Sequence, residues 1–116
     1  MKISTIKELL EADVVCCEEG LSHHVYSACG SDMMSDVLAY VKDQAVLMTG
    51  LINSQVIRTA EMMDIIAVCF VRGKTPPEDV IELAKEKDIT ILTTTYPLYA
   101  ACGKLYAEGL RGSCDD

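Results

Sequence analysis

Two Ser-Asp pairs stand four residues apart in the stretch Ser31-Asp32-Met33-Met34-Ser35-Asp36, directly after Gly30. Hydroxyls and carboxylates at that spacing can do two kinds of work. At a helix start, Ser31 or Asp32 would accept hydrogen bonds from the first free backbone N–H groups. Asp36 in the first turn would add a favourable dipole interaction, typically ~0.3–1 kcal/mol, against a small repulsion from Asp32. At the mouth of a crevice, the same groups would instead hold a polar ligand, with Gly30 and Ser35 beside them. Helix-start chemistry is the default account, and the crevice is the functional one.

Similar residues recur further along. Thr49-Gly50 with Asn53, then Arg72-Gly73-Lys74-Thr75, then Thr93-Thr94-Thr95 each follow a strand-like run. In a parallel sheet, segments that leave the strands share one edge, where ligands of open α/β sheets bind. Together they would form a rim of hydroxyl and amide groups with a few cations, suited to a nucleotide phosphate at a helix N-terminus. The same residues equally serve ordinary turns and caps. Arg72-Gly73-Lys74-Thr75 lacks the first glycine and the spacing of a phosphate loop. The candidate ligand residues are Gly30, Ser31, Asp32, Ser35, Thr49, Asn53, Thr93, Thr94 and Thr95.

Thiols and imidazoles offer less. Cys16, Cys17, His23, His24 and Cys29 fall within fourteen residues. Zinc ligands come as pairs two to four residues apart, repeated at a distance, and adjacent Cys-Cys and His-His pairs break that pattern. Neither a metal nor a cofactor is expected. Cys29 near His24 gives an alternative reading, a small thiol-dependent enzyme. The six cysteines are otherwise read as reduced core thiols, because Cys69 lies in the most hydrophobic run and Cys102 on a helix.

With 116 residues the chain is expected to form one domain, residues 1–110, followed by a flexible tail over 111–116. The formal charge of −8 argues against nucleic acid and against an anionic membrane surface. The longest apolar run, Ile65 to Val71, is far short of the ~20 residues a membrane span needs. Charge appears too early at the start for a signal peptide. A cytoplasmic protein is expected, acting on small molecules or protein partners.

These groups must be positioned by regular elements. Thr5 to Glu8 matches a capping box and opens a helix to about Glu11, burying Ile6, Leu9 and Leu10. Strands are expected over Asp13 to Cys17 and His24 to Cys29, with a turn at Glu18-Glu19-Gly20. Met33, Met34, Val37, Leu38 and Val41 recur at helical period, predicting a helix from Asp32 to Lys42. The strand Ala45 to Thr49 follows, then a helix capped by Asn53 or Ser54 that carries Val56, Ile57, Ala60 and Met63. Ile65 to Val71 is apolar throughout, as befits a central parallel strand. Thr75 to Glu78 is a second capping box, with Glu78 and Asp79 first and Lys85 and Lys87 last on its helix. Ile89 to Thr93 is a strand, and Thr94 to Pro97 opens a last helix that Gly109 stops. Such alternation demands right-handed crossovers and an α/β fold, a mostly parallel sheet flanked by helices on both faces. One methionine of each pair, Met33-Met34 and Met62-Met63, is expected in the core with the other near its edge. The apolar surface left over predicts a homodimer or a docking face.

The order of these elements resembles a stand-alone DRTGG domain, related to the N-terminal domain of HPr kinase/phosphorylase. The resemblance rests on Lys2-Ile3-Ser4 and its helix, Gly30 to Val37, Ile65 to Val68 leading to Arg72-Gly73, Glu78 to Glu86, Ile89 to Thr94, and Ala101 to Tyr106. The literal Asp-Arg-Thr-Gly-Gly string is absent, and Tyr26 to Cys29 stands where the family often has a glycine-rich segment. The resemblance implies a MurF-like α/β module with a regulatory role and no defined catalytic residues. A purely structural subunit is the third reading.

Overall fold

The computed structural model describes residues 1–41 and 44–112. Five strands form one sheet: β1 (Asp13–Cys16), β2 (Ser27–Gly30), β3 (Ala45–Thr49), β4 (Ala67–Phe70) and β5 (Thr90–Thr93), ordered β1-β5-β4-β3-β2. β2 to β5 are parallel, and β1 joins the far side antiparallel to β5. The α-helices are α1 (Ile3–Leu9), α2 (Met34–Tyr40), α3 (Ser54–Met62), α4 (Glu78–Glu86) and α5 (Leu98–Ala107).

The central strand β4 is apolar at every position, and β3 at all but its last, because both faces are covered. Leu47, Val68, Phe70 and Ile91 meet Met34 and Val37 of α2, Val56, Ile57 and Ala60 of α3, and Val80 and Ala84 of α4. The alternate residues Val46, Met48, Ala67, Cys69 and Leu92 meet Ile3, Ile6 and Leu10 near α1, and Ala101 and Leu105 of α5. From β2 to β5 each crossover steps one strand over in the same direction. A constant hand therefore puts α2, α3 and α4 on one face. After β5 the chain changes face.

Several expected boundaries shift. The capping boxes at Thr5 and Thr75 do not form: α1 begins at Ile3 and α4 is preceded by Pro77, neither with a side-chain cap. The backbone takes over at α1, where Ile3 N–H donates to the His23 carbonyl at 3.0 Å. The strand expected over His24 to Cys29 starts at Ser27, and Glu18–Ser22 coils as a 3-10 helix. α2 starts two residues later than the periodicity suggested and ends at Tyr40; Lys42 lies outside the described residues. Of the tail expected over 111–116, Arg111 and Gly112 lie against β2: the Ala28 N–H donates to the Arg111 carbonyl at 2.9 Å and Gly112 bridges Ala28. Residues 113–116 lie outside the described residues.

The methionine pairs split, with Met34 buried and Met33 62% exposed, and Met62 exposed beside a half-buried Met63. Four helices close with a left-handed residue, namely Glu11, Asp64, Asp88 and Gly109. The next N–H in each case reaches back five residues, as in Ala12 to Lys7 and Leu110 to Leu105. Cys16, Cys17, Cys69 and Cys102 are thiols outside any disulfide. Among the described residues no helix is long and apolar enough to cross a membrane.

Candidate functional site

Because β2 to β5 run parallel, the segments leaving them share one edge of the sheet. Asp32 does not cap α2: the residue before that helix is Met33, with no side-chain cap. The Ser31 hydroxyl instead accepts from the Met33 N–H at 3.0 Å, closing a local turn. That turn frees Asp32 to reach the end of β3. Its Oδ1 accepts from the Gly50 N–H at 2.7 Å and from the Thr49 hydroxyl at 3.0 Å. Its Oδ2 lies 3.9 Å from Arg72 Nη2, with both side chains about half exposed. The Gly50 hydrogen bond is the chief reason the Asp32 carboxyl titrates below its ordinary value, helped by Thr49, Arg72 and Lys74 and opposed by burial.

Arg72 is held for this contact. Its backbone is left-handed at φ 61°, although it terminates no helix. Its N–H donates to the Tyr96 carbonyl at 2.9 Å. The guanidinium lies over buried Gly50, where an added Cβ would meet Nη2 at 2.3 Å. A side chain at this position would push the guanidinium aside.

The second feature of the rim lies between β4 and β5. The chain leaving β4 turns to the face of α4, and the chain leaving β5 turns to the face of α5. Divergence of neighbouring connections is what opens a crevice in such sheets. Here it leaves a cavity of about 190 Å³ lined by Gly73, Lys74, Thr75 and Thr93 to Thr95, with Glu11 and Asp13 brought in by the antiparallel β1. The loops are tied across it by Gly73 N–H to the Thr94 carbonyl at 2.9 Å. Thr94 is 2% exposed and donates to the Leu10 carbonyl at 2.6 Å, so its hydroxyl is committed to holding α1. The Tyr96 hydroxyl bonds the Glu11 carboxylate, which raises the phenol above its usual range, and Lys104 lies 4.7 Å from the Tyr96 ring centre.

The candidate residues therefore divide. Ser31, Asp32 and Thr49 gather at one corner, and Thr93, Thr94 and Thr95 line the cavity. Asn53 caps α3 by accepting from the Gln55 N–H at 3.1 Å. Ser35 is exposed on the first turn of α2, and Gly30 passes so close to α5 that a Cβ would meet Cys102 Sγ at 2.4 Å. Glu11, Asp13 and the pairing of Arg72 with Asp32 escaped the sequence reading. Contacts between strand exits leave no local spacing, and β1 reaches this edge only by running antiparallel.

The thiols are poorly placed for nucleophilic work. Burial pushes Cys69 up to about 12, and burial with neighbouring negative charge does the same for Cys17. Cys29 is half-buried in β2. Among the described residues one set of metal-ligating atoms comes within 4.8 Å of one another, Cys17, Glu19 and Asp88. It is not the Cys16, Cys17, His23, His24 and Cys29 group weighed from sequence.

The order β1-β5-β4-β3-β2, with one helical layer changing to the other after β5, defines a small α/β module. The chain belongs to the DRTGG domain family, whose model matches residues 5–106. It is also similar to the crystal structure of the CBS and DRTGG domains of the regulatory region of Clostridium perfringens pyrophosphatase, a structure complexed with the activator diadenosine tetraphosphate. The TM-score is 0.72 at 19% identity, covering 90% of this chain and 45% of that one. The present chain thus spans less than half the length of that structure. No curated protein matches the sequence.

Proposed function

We propose that this chain is a non-catalytic regulatory module of the cytoplasm that senses a small polar, nucleotide-like ligand at the strand-exit rim. The single observation that carries the reading is the convergence of Asp32, Thr49, Gly50 and Arg72, drawn from three strand exits, next to the Lys74 cavity. Ser31, Ser35, Thr93 and Thr95 supply further polar groups, while Gly30, Asn53 and Thr94 shape the surrounding backbone. Diadenosine tetraphosphate in the structural neighbour makes nucleotides the first ligands to try. Thermal-shift screening of a nucleotide panel is the direct test, since a ligand at 100 times its Kd adds about 2.7 kcal/mol to stability. A flat response across the panel would reject nucleotide sensing.

The module also docks on a partner, with a second copy of itself the first choice. Met33 at 62%, Leu38 at 43% and Tyr40 at 62% exposure leave apolar side chains uncovered on and just before α2, the helix that joins the edge strand β2 to β3. Light scattering of wild type and Leu38→Lys should show a dimer reduced to monomer. A wild type that is monomeric at about 100 μM, a concentration above micromolar dimer constants, rejects the homodimer.

A further inference from the structure

The donors around Asp32 are those that recognise an oxyanion. One backbone N–H, one hydroxyl and one guanidinium, from two different strand exits, converge on a single carboxylate. Phosphate oxygens use the same donors, with more charge to offer them. The carboxylate fills this cradle incompletely. Oδ1 takes both short hydrogen bonds, whereas the 3.9 Å to Arg72 is an ion pair without a hydrogen bond, which leaves the guanidinium fork unspent on Asp32.

The cradle is built and its occupant is loosely mounted. Arg72 takes a left-handed backbone away from any helix end, unlike Glu11, Asp64 and Asp88, and its N–H is pinned to Tyr96. Gly50 is the residue type that admits the guanidinium above it. Asp32, by contrast, precedes α2, is about half exposed, and hangs from a two-residue turn at Ser31. It can swing outward while the helix stays folded.

We infer that the Gly50 amide, the Thr49 hydroxyl and the Arg72 guanidinium form a phosphate cradle in which Asp32 is the resident stand-in, displaced when a phosphate-bearing ligand arrives. The inference deepens the ligand-sensing reading and rests on its choice of rim. Displacement moves the segment entering α2, next to exposed Met33. No bond is made or broken: one anion replaces another.

The test is calorimetric titration of inorganic pyrophosphate into the full chain as wild type, Asp32→Ala, Asp32→Asn, Asp36→Ala and the double variant Asp32→Ala/Arg72→Ala. Removing the competitor should tighten binding about tenfold in Asp32→Ala, the equivalent of one charge-assisted contact. Asp32→Asn, still an acceptor but neutral, should fall between. Asp36→Ala removes the same charge from α2 without vacating the cradle and should stay within about twofold of wild type. The double variant should lose the gain. Equal or weaker binding by Asp32→Ala, or an equal gain in Asp36→Ala, overturns the inference. If Asp32→Ala fails to fold, the intermediate gain of Asp32→Asn decides the matter alone. A flat nucleotide screen with a pyrophosphate gain in Asp32→Ala would sink nucleotide sensing and leave the cradle standing. Nucleotide binding by wild type, with no gain in either Asp32 variant, would do the reverse.

Discussion

The two ends of the strand-exit rim are joined in different ways. At the Asp32 corner, side chains reach sideways between strand exits, and the two charged partners are half exposed. At the cavity between β4 and β5, the loops are tied by backbone bonds from Arg72 to Tyr96 and from Gly73 to Thr94, over a buried threonine hydroxyl. A half-exposed carboxylate can exchange its partners for water or a ligand at little cost. A buried hydroxyl cannot, because nothing replaces its hydrogen bond. The corner is the exchangeable end, and the cavity is the fixed one.

Substitutions should separate the two ends. The largest loss is expected at Thr94→Val, which leaves the Leu10 carbonyl unsatisfied in a buried setting. Denaturant unfolding should show a destabilisation of about 1–3 kcal/mol; a change close to zero would erase the distinction. Asn53→Ala, which removes only the cap of α3, should cost about 1 kcal/mol. Arg72→Ala at the corner should cost less than either, about 0–1 kcal/mol, because an exposed ion pair at this distance stabilises little. Its effect belongs in ligand binding, and a stability loss larger than that of Thr94→Val would show the corner to be structural.

The smallest effect is a pH dependence that sharpens the picture of the corner itself. The folded Asp32 carboxyl lies below its ordinary value of 3.8, so the unfolded chain binds the proton more readily. The stabilisation is therefore present above about pH 5 and fades as pH falls through the folded value. Asp32→Asn should remove that part of the acid slope in urea titrations. Because the Gly50 amide is the largest cause of the shift, Arg72→Ala should keep most of the slope. Losing it entirely would mean that the guanidinium, rather than the backbone, holds the carboxylate.

The elements were legible where burial alone shapes the pattern. Ala45 to Thr49 reads as a strand and is one to the residue, since all five side chains are buried. The helix starts were less legible. Thr5, Thr75 and Asp32 each carry good capping chemistry, yet none caps its helix. A cap adds about 1 kcal/mol, and a backbone bond such as Ile3 to His23, with Ile3 fully buried behind it, outweighs that choice. Arg111 and Gly112 read as tail by composition, but they lie against the edge strand β2.

The amino-acid sequence by itself determined the alternation of strands and helices, hence a mostly parallel sheet covered on both faces and a single edge where the strand exits meet. Those features follow from hydrophobic period and chain order, which are properties of neighbouring residues. Only the tertiary structure decided that Asp32 turns from its own helix to Thr49 and Gly50, that Arg72 lies over Gly50, and that β1 carries Glu11 and Asp13 to the cavity. Each of those contacts joins segments far apart along the chain, and distance across a sheet is set by strand order and packing rather than by local spacing.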